Sequence, residues 1–163
     1  MQPTTTWICD TCGELIETVE AGWVEWLVIV SRYDTADKRQ GRGLRLVHHQ
    51  PASPRRMARY GSCQYDEHAE FQRDGACLHD LPLSSFLGPD GLNRLLLMIA
   101  KDELPTEDVL EMTKRLHIPG YEHARRHFAR AIAEGVFEPN MPKGYYWQHN
   151  IEAVLKAIEH EEP

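Results

Sequence analysis

The chain has 163 residues, of which 42% are hydrophobic and 26% charged, and its net charge is −7. This length allows one ordinary domain or two small ones, and the composition is typical of a folded protein. No apolar run reaches 18 residues, which excludes a membrane-spanning helix, and the first residues do not have the pattern of a secretion signal. We therefore expect a cytoplasmic protein, in which cysteines stay reduced.

The first half of the chain, residues 1–80, has the pattern of a small β-rich domain. Residues 22–30 are aromatic and β-branched, which predicts a strand. Residues 34–43 are polar with two glycines and predict a loop or a hairpin turn. Residues 44–49 alternate and predict a second strand, which the following prolines end because proline cannot donate to a ladder. Residues 55–80 carry no clear pattern.

Two cysteines near the N-terminus, Cys9 and Cys12, have the spacing with which one tight turn supplies two metal ligands. Gly13 favours such a turn because glycine tolerates a positive φ. A thioredoxin-like redox pair would follow a strand, and no strand-like segment precedes Trp7. The pair therefore predicts half of a metal site, with a redox pair and two unliganded thiols as the alternatives.

The second half of the metal site has to come from later in the chain. We expect Cys63 and one histidine from the end of the second strand, where alternation places only one of two neighbours on the metal side. We prefer His49, because His48 shares the parity of the apolar residues of that strand. His48 or Cys77 is the alternative fourth ligand. The predicted ligands are Cys9, Cys12, His49 and Cys63.

These features resemble a zinc ribbon, in which a CxxC knuckle, strands and a second ligand pair surround one metal ion. The resemblance covers about 60 residues. It implies Zn²⁺ bound by four protein ligands, which makes the site closed and structural rather than catalytic. Such a metal would stabilise a domain that is too small to build a large apolar core.

The second half of the chain, residues 89–163, has the pattern of helices. Leu92, Leu95, Leu96 and Ile99 have the spacing of one buried helical face. A second helix is expected from Thr106, with acids in its first turn. A third covers 121–132, two short strands with a turn are expected in 136–148, and a last helix follows Asn150. The junction between the two halves lies in residues 81–91.

Residues 92–148 resemble a winged helix-turn-helix. The features that carry the resemblance are three successive helices, the second ending in RLHIPG, and a predicted hairpin with GYYW in the position of the wing. In that family the third helix commonly enters the major groove of DNA. Here the third helix carries a polar stripe opposite its apolar face, made of His123, Arg126, His127 and Arg130.

The basic residues are unevenly distributed. Segments 38–59 and 114–130 carry net charges of +7 and +4, which leaves −18 for the rest. Such polarity can direct an anionic ligand to one face, although the basic segments can equally pair with the acidic remainder. Arginine contacts phosphates and guanine edges. The predicted nucleic-acid-binding residues are Arg125, Arg126, Arg130, Arg55, Arg56 and Arg59.

Enzyme motifs give little support for catalysis. The segment VHHQPASP is similar to the strand end of HNH-type nucleases, which implies His49 as the general base beside a divalent metal. The asparagine expected after it is absent between Pro51 and Asn93. No phosphate-binding glycine loop, nucleophile elbow or HExxH motif is present.

The sequence as a whole predicts an α+β protein: a small zinc-stapled β domain, 1–80, followed by a winged-helix-like helical domain, 89–163. By zinc-stapled we mean that the metal ion holds separate chain segments together. The expected function is that of a zinc-stabilised, non-catalytic DNA-binding or regulatory protein. The alternatives are a protein–protein interaction adaptor with the same modules and, third, an HNH-like nuclease. Double-stranded DNA or a protein is the expected partner, without a membrane.

Overall fold

The structure, a computed structural model, describes residues 4–30, 39–54 and 62–160. It is an α+β arrangement of helices and small antiparallel sheets, which confirms that part of the predicted fold class. The strands are β1 (Trp7–Ile8), β2 (Leu15–Ile16), β3 (Gly22–Val30), β4 (Arg39–His48) and β5 (Cys77–Pro82). The helices are α1 (Glu67–Asp74), α2 (Gly88–Lys101), α3 (Thr106–His117), α4 (Tyr121–Ala124), α5 (Phe128–Ala133) and α6 (Gln148–Glu159).

Contacts divide the chain into two compact units, of which one is Thr5–Thr113 and the other is built on Lys114–Pro163. We call them the metal-site unit and the helical unit. The boundary falls inside α3 and not in the predicted junction 81–91. The predicted domains, 1–80 and 89–163, stay a prediction about which segments fold independently.

The metal-site unit is organised by a three-stranded antiparallel sheet in the order β4-β3-β5. The central strand, β3, is the predicted aromatic and β-branched segment, and its central position buries Val24 and Leu27 completely. Strand β4 starts at Arg39, so residues 39–43, predicted as a loop or turn, belong to the ladder. Between the pairs Glu25–Arg45 and Leu27–Arg42 one residue of β3 lies opposite two residues of β4, which marks a bulge in β4.

A second, two-stranded sheet forms at the N-terminus. Strands β1 and β2 pair antiparallel, with Trp7 opposite Ile16 and Ile8 opposite Leu15. The turn of this small hairpin contains the CxxC segment. Helix α1 lies between β4 and β5, within the segment 55–80 that carried no clear sequence pattern. The helix starts at the Asp66 cap and ends at Gly75, which has a left-handed conformation.

The helical unit has an apolar core of its own. The core contains Tyr121, Ala124, Phe128, Ala131, Phe137, Ile151 and Val154. Tyr146 packs edge-on against Phe128 and Phe137, at ring-centroid distances of 4.7 and 5.1 Å. The last helix, which was predicted after Asn150, contributes Ile151 and Val154 to this core, and both are buried.

The predicted third helix and hairpin differ from the structure. Residues 125–127 form a turn between α4 and α5, closed by a hydrogen bond from the His127 N–H to the Ala124 carbonyl (2.9 Å). Residues 136–147, all of them described, contain no strand, so the predicted wing strands are wrong. The winged-helix resemblance is therefore not confirmed. The zinc-ribbon resemblance of the first half of the chain is not confirmed either.

Within the described part of the chain, no helix has both the length and the apolar character that crossing a bilayer requires.

Candidate metal centre

The N-terminal pair of cysteines lies in a tight turn between β1 and β2. The Cys9 amide donates to the Glu14 carbonyl and the Gly13 amide to the Cys9 carbonyl, both at 2.9 Å. Gly13 has φ of 79°, a left-handed conformation that a side chain would strain. The predicted role of this glycine is therefore confirmed, and the turn holds the Cys9 and Cys12 sulfurs close together.

The turn is fixed to the end of β4 by a reciprocal pair of hydrogen bonds. The Asp10 amide donates to the Leu46 carbonyl, and the Leu46 amide donates to the Asp10 carboxylate, both at 2.8 Å. Alternation along β4 places His48 on the same side as Leu46. His48, 4% exposed, therefore faces the two cysteines.

A backbone contact fixes the orientation and the tautomer of His48. Its Nε2 lies 3.0 Å from the Leu15 carbonyl oxygen. Because a carbonyl only accepts, Nε2 carries the hydrogen and donates it, which leaves the Nδ1 lone pair free for a ligand. Nδ1 lies 3.5 Å from the Cys12 sulfur and 3.9 Å from the Cys63 sulfur.

Cys63 completes the group from a distant part of the chain. It is fully buried, and its amide donates to the Ser53 hydroxyl while that hydroxyl donates to the Cys63 sulfur, both at 3.0 Å. The Thr11 hydroxyl donates to the Cys63 carbonyl at 2.6 Å, and the Arg45 guanidinium does so at 3.2 Å. These contacts hold the cysteine against the CxxC turn.

The four side chains together form one compact donor set. The three sulfurs and the His48 nitrogen all lie within 4.8 Å of one another, so the group can hold a metal ion. The edges of a tetrahedron with metal–sulfur bonds of about 2.3 Å are about 3.8 Å long. The distances from His48 Nδ1 to the Cys12 and Cys63 sulfurs, 3.5 and 3.9 Å, are close to that figure. Among the described residues, no other group of three or more His, Cys, Asp or Glu side chains comes together in this way.

The two cysteines of the turn respond differently to their surroundings. Burial raises the pKa of Cys9, but hydrogen bonds from the backbone at Cys12, Thr11 and His48 outweigh burial and lower that pKa to about 7. Burial raises the pKa of Cys12 to about 12, and the neighbouring Cys9 adds to the effect. Because the raised pKa keeps the Cys12 thiol protonated near neutral pH, a bound cation, which stabilises thiolates, suits this pair of cysteines.

The predicted ligand set is corrected at one position. Cys9, Cys12 and Cys63 come together as expected, but the histidine of the cluster is His48, the stated alternative. His49 lies beyond the end of β4, and its ring stacks on Trp23 at a centroid distance of 4.6 Å. His48 shares the side of Leu46, as the parity argument held, and it is this side of β4 that lies against the two cysteines of the turn. Cys77, the other alternative, is exposed on β5.

The predicted nucleic-acid-binding arginines are distributed differently. Arg125 pairs with Glu122 at 2.9 Å, and Arg130 pairs with Glu134 at 2.8 Å. Arg126 is exposed, on the turn between α4 and α5. The remaining three predicted residues lie outside the described residues: Arg55, Arg56 and Arg59.

Sequence reasoning missed the groups that support the donor set. Arg45 was counted in the basic segment, but it pairs with the fully buried Glu25 at 2.6 Å. The Arg45 guanidinium also lies 3.4 Å from the centroid of the Tyr65 ring. The signal that could have revealed this pair was Glu25 itself, because a single carboxylate in an otherwise apolar strand requires a partner when it is buried. Nothing in the sequence singles out Thr11 or Ser53.

Comparisons of the chain with models of protein families, with curated protein sequences and with solved structures gave no match. The donor set and its supporting hydrogen bonds are therefore the basis on which function is proposed.

Proposed function

We propose that the chain is a non-catalytic protein that binds one structural Zn²⁺ ion through Cys9, Cys12, His48 and Cys63. The observation that carries this proposal is that these four donor atoms lie within 4.8 Å of one another. Sulfur and imidazole donors suit zinc, whereas Mg²⁺ and Ca²⁺ prefer oxygen. Four protein ligands complete a tetrahedron and leave no position for a reacting water, which supports a structural role.

The zinc ion would join three separate segments of the metal-site unit: the N-terminal turn, the end of β4 and the segment around Cys63. The unfolded chain has no preformed site, so metal binding energy is also folding energy. The hydrogen bond that His48 donates to the Leu15 carbonyl, and those that the Thr11 and Ser53 hydroxyls donate to Cys63, are the kind of outer contacts that orient metal ligands. The CxxC turn and the strand-end ligand are the features that this site shares with zinc ribbons.

Metal content tests this proposal directly. Mass spectrometry on protein purified without a metal-affinity step should find one zinc per chain. Cys63→Ala should lose it, because three ligands remain and Ser53 loses its sulfur partner. The matched control is Cys77→Ala, which removes an exposed cysteine outside the donor set and should keep full zinc content. Wild-type protein without zinc would contradict the proposal.

For the cellular role, we propose that the protein is a cytoplasmic adaptor that binds another protein. The arrangement of arginines supports this choice over DNA binding. Arg42 and Arg45 of the first basic segment pair with carboxylates, as do Arg125 and Arg130 of the second. Arginines paired in this way have their charge largely compensated, which weakens the attraction for phosphate.

DNA binding is the second candidate, and the exposed Arg126 favours it. Titration of duplex DNA at several salt concentrations separates the two roles, because phosphate contacts release counterions and make affinity fall steeply with salt. A DNA-binding role predicts that Arg126→Glu, and separately a triple change of Arg55, Arg56 and Arg59 to Glu, weakens binding and reduces the salt slope. Equal, weak binding of wild type and variants would leave the protein-binding role in place.

A further inference from the structure

A groove in the metal-site unit lies between α2 and the edge of the three-stranded sheet. Its cavity has a volume of about 170 Å³. Trp26 and Leu81 of the sheet, Met98 of α2 and Leu104 after that helix form its apolar lining. The groove lies apart from the cysteines and the histidine of the proposed zinc site.

Two cations line the same groove. Arg94 and Lys101 are seven residues apart on α2, which places them on one helical face about 10 Å apart along the axis. The Arg94 guanidinium donates to the Ser85 carbonyl at 3.1 Å. Among the described residues, no carboxylate forms an ion pair with Arg94 or with Lys101. The groove therefore carries two positive charges that form no ion pair within the described part of the chain, together with one carboxylate, Glu103.

The helix beside the groove exposes apolar surface. Of the residues of α2, only Gly91 and Leu95 are buried, whereas Leu96 and Leu97 are 53% and 51% exposed. Leu97 is one of the residues that line the groove, but Leu96 is not. Exposed leucines next to an apolar groove are typical of surfaces that bind another chain.

The size of the groove decides what kind of ligand it fits. Small-molecule sites usually have volumes of about 300–1,000 Å³, so a cavity of about 170 Å³ fits one large side chain better than a whole cofactor. The two cations that line the groove favour a ligand in which acidic residues lie next to that large side chain. A protein segment supplies both features in one ligand.

We propose that this groove binds an acidic segment of a partner protein. One large apolar side chain of the partner would occupy the space over Trp26 and Leu104, and carboxylates beside it would contact Arg94 and Lys101. This inference rests on the proposed protein-binding role and specifies its surface. It does not depend on which metal the cysteines bind.

Selection from a library of phage-displayed random twelve-residue peptides on the full-length, zinc-loaded protein tests the proposal. The selected peptides should share one aromatic or leucine residue flanked by aspartates or glutamates. Resynthesised peptides should bind the double variant Arg94→Glu/Lys101→Glu at least tenfold more weakly. The matched control is Lys143→Glu/Lys156→Glu, which makes the same charge change at exposed positions of the helical unit and should leave affinity unchanged.

The two neighbouring leucines provide a second matched pair. Leu97→Asp places a charge in the groove and should weaken peptide binding at least tenfold, whereas Leu96→Asp should not, although both leucines are about equally exposed. Selection of basic peptides, or equal loss in all variants, would overturn the proposal. Sedimentation showing a dimer that Leu97→Asp dissociates would also overturn it, since a second copy would then occupy the groove.

Zinc content measured on each variant separates this test from that of the metal site. All the groove and control variants should keep one zinc per chain, because none changes a ligand or a group that contacts one. Loss of peptide binding with full zinc content locates the effect in the groove.

Discussion

The metal-site unit and the helical unit each bury one glutamate completely, and they compensate its charge differently. Glu25 pairs with Arg45, whose side chain is 21% exposed, and accepts the Tyr65 amide at 3.0 Å. Glu122 pairs with two arginines, Arg115 at 2.7 Å and Arg125 at 2.9 Å, and Arg115 is itself buried. The partners of Glu122 are three and seven residues away, whereas Glu25 is reached from 20 and 40 residues away.

A difference of the same direction is visible in longer contacts, since the helical unit joins the Lys114 ammonium to the Gly144 carbonyl across 30 residues. The metal-site unit is held by contacts between segments far apart in the chain, including a 52-residue separation between Thr11 and Cys63. The helical unit packs short helices around an aromatic core. A chain that closes long loops loses more conformational entropy on folding, and a metal ion can offset that cost. The two units should therefore respond separately to perturbation.

Metal removal should give the largest effect. Excess chelator should unfold the metal-site unit while the helical unit stays folded, because structural zinc contributes on the order of 10 kcal/mol to small zinc domains. Hydrogen exchange on the full chain is the measurement. Protection should be lost in β3 and β4, kept in α6, and restored when zinc is added back. Equal loss of protection in both units would contradict the expectation that the two units respond separately to metal removal.

Glu122→Ala should come next in size. The change removes the carboxylate that pairs with the buried Arg115, and breaking a buried ion pair costs about 3–5 kcal/mol of unfolding free energy. Denaturant unfolding measures it, and zinc content should be unchanged. The control is Glu134→Ala. Glu134 pairs with Arg130, and both side chains are about half exposed. That variant should change stability by less than about 1 kcal/mol.

Thr11→Val tests the outer contacts of the donor set. The variant keeps all four ligands but loses the hydroxyl that donates to the Cys63 carbonyl. We expect metal affinity to fall about 10- to 100-fold, the usual effect of removing an outer contact. Competition with a chromophoric chelator measures the affinity. Thr113→Val, which removes a hydroxyl bonded within α3, is the control and should leave affinity unchanged.

Glu25→Gln should give the smallest effect, visible as a change in pH dependence. Burial raises the pKa of Glu25 despite the Arg45 charge that opposes it. The folded state therefore holds the Glu25 proton more tightly than the unfolded state. This tighter binding of the proton stabilises the folded state. The contribution is fully present below the pKa of the unfolded state, about 4.3, and is lost as the pH rises through the higher pKa of the folded state.

Wild-type stability should consequently fall relative to Glu25→Gln as the pH rises through that window. The metal site's own pH dependence is common to both proteins and cancels in the difference. Parallel denaturation curves at each pH between 4 and 7 measure the effect. A difference that stays constant with pH, or has the opposite sign, would mean that the Arg45 charge outweighs burial.

Much of the local structure was predictable because it depends on neighbouring residues. The strand at 22–30 and the helix from Thr106 follow from residue type and periodicity. The third helix was predicted as continuous because Tyr121, Ala124, Phe128 and Ala131 have the spacing of one face. That spacing is also satisfied by two short helices joined by a turn, so periodicity alone does not distinguish them.

For the metal site, the sequence by itself determined the CxxC turn, because two cysteines and a glycine at that spacing need only local geometry. It also narrowed the other members of the cluster to Cys63 with one of three candidates, His48, His49 or Cys77. Only the tertiary structure decided for His48. The choice depends on which face of β4 the N-terminal turn contacts, and the hydrogen bonds between Asp10 and Leu46 fix that face across 36 residues. Long-range pairing of this kind leaves no periodic trace in a single sequence.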